Sequence, residues 1–146
     1  MGPKRIIYVS SSVTNAPKPY RDFIKKFKQE LRTATASLVI EWLDQDAPML
    51  PHDFFRKNLN NVLNSDAMIA IANEPSIGVG MEIQEAIRNQ KPLLCLYEQG
   101  RTISRLLMAA KEAGEVRLET YQDMNHAIEL ASDFINSLGR ENIQLL

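Results

Sequence analysis

Short runs of apolar and β-branched residues alternate along the chain with stretches whose apolar residues fall three and four apart, and this alternation constrains the fold most. The strand-length runs are Ile6-Ile7-Tyr8-Val9, Leu38-Val39-Ile40-Glu41-Trp42, residues 67–72, residues 92–97 and a weaker one at 116–120. Residues 20–34 carry Ile24, Phe27 and Leu31 at the spacing of an amphipathic helix. A second helix is expected from Asp53, as its cap, to residue 64, with Phe55, Leu59 and Leu63 turned inward. Further helices are expected at residues 80–89, 103–113 and 123–138. Strands and helices alternating at intervals of about 25 to 30 residues predict an α/β fold, a doubly wound, five-stranded parallel sheet covered on both faces.

In a sheet of that kind the ligand lies outside the C-terminal ends of the strands, where strand order reverses. The loops at that end hold residues 8–14, 41–46, 73–82 and 97–104. Pro75 to Gly80 joins strand to helix with a serine and two glycines, a composition that lets backbone amides approach an anion. No Gly-Lys-Ser or Gly-Lys-Thr follows, and Gly78-Val79-Gly80 lacks the third glycine of the dinucleotide fingerprint, which disfavours ATP and NAD by those routes. Glu82 falls in the first turn of the expected helix. Its spacing alone fits either a surface charge settled by the helix dipole or a carboxylate with chemistry to do.

With 146 residues, 45% hydrophobic and 24% charged, the chain reads as a single domain over residues 1–146. A chain of this length buries roughly 70% of its unfolded surface and needs no structural metal or disulfide. The lone Cys95, inside the apolar run Pro92 to Tyr97, reads as a buried inert thiol and suits a reducing compartment. The net charge is −1 and basic residues are dispersed, so no footprint for a nucleic acid polymer is present. No stretch approaches the ~18 apolar residues of a membrane span, the N-terminus leads into a strand-length run, and a cytoplasmic protein is expected. Ile6 stands where a myristoylation motif after Gly2 needs Ser or Thr.

The pattern Pro75-Ser76-x-Gly78-Val79-Gly80-x-Glu82, preceded by Ser65-Asp66 and an apolar strand and followed by Lys91-Pro92-x-Leu94-Cys95-Leu96, resembles the nucleoside 2-deoxyribosyltransferase superfamily. Within it the likeness is to the 2′-deoxynucleoside 5′-phosphate N-hydrolases, from Ile7 to about Ala113. The resemblance implies a flavodoxin-like fold and a homodimer whose sites borrow residues from the neighbouring subunit. It implies that Glu82 is the nucleophile, that Tyr8 positions it, and that Ser12, Ser76 and Ser104 surround the 5′-phosphate, Ser104 from across the interface. Ser10, Gly78 and Gly80 complete the expected substrate-binding set. Transferases tend to have an aspartate where Ser76 stands, so Ser76 points to a nucleoside 5′-monophosphate rather than a nucleoside. No metal and no cofactor are implied.

Departures from the family pattern are equally specific. Asn58 stands where the hydrolases have an acidic residue, Thr14 where they place an arginine towards the phosphate, Ser11 where they usually have glycine, and Trp42 where close relatives have histidine. Trp42 fits either packing at a strand end or stacking on a base. Glu41, Asp44, Asp46 and Glu74 lie near the same sheet edge as replacement acids, Glu74 nearest in sequence; His52 and His126 read as non-catalytic. The loop at 44–53 is expected to fold over the base. Three functions follow: an N-glycosidase acting on a 2′-deoxynucleoside 5′-monophosphate, a transferase moving deoxyribose between bases, or a nucleotide-binding protein with lost turnover.

Overall fold

The computed structural model describes residues 4–12, 16–40 and 49–144. Among them five strands alternate with five helices: β1 (Ile6–Ser11), α1 (Lys18–Thr35), β2 (Leu38–Ile40), α2 (Pro51–Asn64), β3 (Ala67–Ile71), α3 (Ile77–Arg88), β4 (Leu93–Glu98), α4 (Arg105–Glu112), β5 (Arg117–Tyr121) and α5 (Met124–Gln144). The strands pair in parallel in the order β2-β1-β3-β4-β5, the flavodoxin-like arrangement. From β1 the chain passes to β2 on one side and then crosses to β3 on the other. The boundary between β1 and β3 is therefore the switch point, and a crevice opens beyond their C-terminal ends.

Alternate residues of each strand serve opposite cores, as the period of two requires. Ile7 and Val9 of β1 join Ile69, Ile71, Leu94 and Leu96 under α1 and α5, where Phe27 and Leu31 are fully buried. Tyr8 belongs to the other side, with Met68, Ala70 and Cys95 against Val62, Val79, Ile83 and Ala86 of α2 and α3. Full burial of each large apolar side chain contributes about 1.5–3 kcal/mol, so both layers hold the sheet. Cys95 is fully buried and its thiol is pushed up to about 12 by that burial, which leaves it inert at neutral pH. Among the described residues no helix is long and apolar enough to cross a membrane.

Two helices differ from expectation in ways that matter for function. α2 begins at Pro51 after Leu50, with Asp53 in its first turn, so Asp53 is not the cap. Phe55 and Leu63 are not inward residues either, being 49% and 37% exposed, and Val62 carries the buried contact. The helix enters over the C-terminal edge of the sheet, so its first turn faces the crevice and only its later turns meet the core. α3 begins at Ile77 rather than near Gly80, because Ser76 caps it, its Oγ accepting from the Val79 N–H at 3.2 Å. Gly78 and Gly80 consequently lie in the first helical turn, and Glu82 lies in the second. Thr14, Glu41, Trp42, Asp44 and Asp46 lie outside the described residues, as does the first half, 44–48, of the loop expected over the base.

Candidate active site

Tyr8 and Ser10 are two apart on β1 and therefore project from the same face of the sheet. α3 packs on that face and brings Glu82 against them. The Tyr8 hydroxyl donates to Glu82 Oε2, and Ser10 Oγ donates to Oε1 at 2.9 Å. Glu82 is only 8% exposed. Burial raises its pKa above the usual glutamate range, opposed by the two hydrogen bonds and by the charge of Lys28, which is buried on α1. Being in the second turn with its carboxyl turned inward, Glu82 is not a surface charge settled by the α3 dipole.

A cavity of about 530 Å³ opens beside this carboxylate at the C-terminal end of β1. Ser11, Ser12, Asn58, Ser76, Gly78 and Glu82 form its polar lining, and Phe54, Phe55, Leu59 and Met81 form much of its apolar wall. Ser76 Oγ uses a lone pair for the Val79 cap, which leaves its own O–H free to donate. The first amides of α3 have no intrahelical acceptor and lie at the positive end of the helix dipole. A Cβ on Gly78 would meet only Ser76 Oγ, at 3.7 Å, and one on Gly80 would meet nothing within 4 Å. Packing within the chain thus does not require either glycine, although each costs about 1 kcal/mol relative to alanine inside a helix. Bare backbone here suits close approach by something outside the chain.

The expected residues do not all converge. Ser10 is fully buried behind Glu82 and serves the carboxylate. Gly80 and Ser104 line a second cavity, of about 460 Å³, between α3 and α4, with Ser76 shared between the two. Ser104 caps α4, accepting from the Leu107 N–H at 3.4 Å. Asn58 reaches the Glu82 cavity, but its Nδ2 donates to the Phe54 carbonyl at 2.8 Å. Glu74 fails as a replacement acid because its carboxylate pairs with Arg101 at 3.1 Å and lies outside the lining of the Glu82 cavity. His52 is exposed beside Asp53, and His126 Nδ1 accepts from the Gln122 N–H, so neither serves the site. Among the described residues no group of three or more His, Cys, Asp or Glu is placed to hold a metal.

Sequence reasoning missed Lys28, whose signal was a lysine inside the Ile24–Phe27–Leu31 stripe. It also assigned Phe55 to the core rather than to the cavity wall, and passed over Asn73.

No family model matches the chain. A protein from Thermofilum pendens named as a 2′-deoxynucleoside 5′-phosphate N-hydrolase is 30% identical over 112 residues, 73% of this chain and 78% of that one. The chain belongs to the 2′-deoxynucleoside 5′-phosphate N-hydrolase family. A relative of the same name from Nematostella vectensis is 30% identical over 84 residues, and the match spans 56% of each chain, little more than half of that relative. Among solved structures, a CMP N-glycosidase from Clostridium botulinum shares the fold, with a TM-score of 0.66 at 16% identity over 89% of this chain and 99% of that one. This member of the N-hydrolase family thus joins Tyr8, Ser10 and Glu82 in one cluster and sets Ser104 in the neighbouring cavity.

Proposed function

We infer that the protein hydrolyses the N-glycosidic bond of a 2′-deoxynucleoside 5′-monophosphate. The observation that carries this reading is the buried Glu82 carboxylate, held by Tyr8 and Ser10 at the wall of a cavity whose other side is a capped helix N-terminus. The names of its relatives support the substrate class. A Glu82 oxygen attacks C1′ as the C1′–N bond breaks; the bonding electrons leave with the base, which takes up a proton. Water then cleaves the glycosyl ester to give deoxyribose 5-phosphate and regenerate the carboxylate. Ser12, Ser76 and the free amides of α3 would receive the phosphate.

The test is base release, followed by chromatography, from a panel of deoxy- and ribonucleoside monophosphates and the matching nucleosides. Release confined to deoxynucleoside monophosphates supports the reading. Appearance of a new nucleoside when a second base is added would replace hydrolysis with transfer. No release, with a monophosphate still raising Tm, would mean a nucleotide-binding protein instead.

The active assembly in this reading is a homodimer. Leu106 of α4, 79% exposed, lines the cavity that holds Ser104, and Ile77 of α3, 86% exposed, lines the Glu82 cavity; large apolar side chains left this exposed at the rims of both cavities favour a partner surface. Leu106→Asp is expected to convert dimer to monomer in sedimentation velocity and to lower base release in parallel. A wild type that sediments as a monomer at micromolar concentration would remove the dimer from the proposal.

A further inference from the structure

Where β3 leaves the sheet, its last ladder bond runs from the Ala72 N–H to the Leu96 carbonyl at 2.8 Å, and the next two residues are held by side chains instead. Asn73 is 5% exposed, and its amide closes the gap between three strands: Oδ1 accepts from the Glu98 N–H at 2.7 Å, and Nδ2 donates to the Tyr121 hydroxyl at 2.5 Å. Tyr121 is itself fixed by the ring of Phe23, stacked at 5.4 Å and 12°. Arg101 then ties the outer side, with Nη1 on Glu74 Oε1 at 3.1 Å and Nε on Glu98 Oε2 at 3.2 Å. Its position is set by a turn in which the Arg101 N–H bonds to the Glu98 carbonyl, around Gly100 at φ 89°. Ser76 follows Glu74 by two residues, and Ser104 follows Arg101 by three.

We propose that Asn73, Glu74, Glu98, Arg101 and Tyr121 form a strap that pre-orders the two serine-bearing loops for the 5′-phosphate, so that Asn73 and Arg101 are positioning residues for nucleotide binding. The proposal rests on the hydrolase reading above. Its physical content is entropic: a loop already held in the bound geometry need not be ordered when the ligand arrives. None of the five lines the Glu82 cavity, and Glu98, Arg101 and Tyr121 are also absent from the lining of the Ser104 cavity, where Asn73 and Glu74 form part of the wall, so Arg101 reaches the substrate through the loops. The strap should therefore act on KM for substrates carrying a phosphate and leave the chemical step alone.

The experiment compares wild type, Arg101→Ala, Arg101→Lys, Asn73→Ser and a control, Lys18→Ala, which breaks an exposed ion pair with Asp22 elsewhere. Steady-state kinetics on a deoxynucleoside monophosphate and its nucleoside are measured, together with amide exchange of the capped Val79 N–H. Arg101→Ala should raise KM for the monophosphate about fivefold, the upper range for partly exposed ion pairs, with kcat changed less than about twofold. Asn73→Ser should raise it roughly tenfold or more, because it leaves buried partners unsatisfied. Arg101→Lys should recover part of the loss, since an ammonium lacks the two-pronged fork. Val79 exchange should quicken in both loss variants and not in the control.

KM and exchange equal to wild type would overturn the strap, as would equal KM losses on nucleoside and monophosphate. Should the wild type release no base at all, the hydrolase reading fails separately. The strap is then judged by exchange alone: faster Val79 exchange in Arg101→Ala retains it, and unchanged exchange removes it.

Discussion

Glu82→Gln is expected to lower base release by at least about 10³-fold, since an amide oxygen does not form the glycosyl ester, and removing an activated nucleophile typically has effects of this order or larger. The same change is expected to stabilise the fold at neutral pH. Burial raises the Glu82 pKa above its unfolded value despite the bonds from Tyr8 and Ser10 and the charge of Lys28. For an acid shifted upward, the folded state binds the extra proton between the two pKa values. Stability is then undiminished below the unfolded pKa, falls as pH rises towards the folded one, and stays reduced above it. Glutamine mimics the protonated form, so its advantage in Tm should be absent in acid, grow through that window and then level off. Catalysis runs the other way. Attack needs the carboxylate, so the acid limb of kcat should lie above the ordinary glutamate range. An acid limb at the usual glutamate pKa, or a variant less stable than wild type at pH 7, would mean that Tyr8 and Ser10 outweigh desolvation.

The sheet was legible because its signal is repeated: five apolar runs, each followed by a helical spacing, leave few topologies that respect right-handed crossovers. The site was legible for a narrower reason. Glu82, Tyr8 and the serines lie in a motif whose spacing resembles a known family, and the motif carries their roles with it. Helix starts were harder to read. Glycines at 78 and 80 suggested a loop, yet one capping serine and the burial of Val79, Ile83 and Ala86 outweigh their cost in the first turn. Period alone also misled for Phe55, since a helix that overhangs the sheet presents the same stripe to core at one end and to cavity at the other. Asn73 left no pattern, because its partners Glu98 and Tyr121 lie on β4 and β5, 25 and 48 residues away, and neither did the reach of Arg101 to Glu74, 27 residues away.

Asn58→Asp is expected to raise kcat on the order of 10²-fold, the low end of what general acid catalysis contributes, or about 3 kcal/mol of barrier. Asn58 lines the cavity with Glu82, in the position where the resemblance to the hydrolases implies an acid, and its Nδ2 donates to the Phe54 carbonyl of its own helix. A carboxyl placed there cannot make that bond while ionised. It faces the carbonyl oxygen nearby and the Glu82 charge in the same cavity, and both favour its protonated form. A neutral acid retained towards pH 7 is what a departing base requires, and its loss at higher pH should add a basic limb absent from the wild-type profile. The measurement is kcat against pH for both proteins on the same monophosphate. The gain should be greatest for bases whose departing nitrogen is least able to carry negative charge, because those leaving groups depend most on the proton. An unchanged kcat, with release still dependent on Glu82, would mean that the base already receives its proton from another donor, and the amide at position 58 would then be a neutral replacement rather than a lost acid.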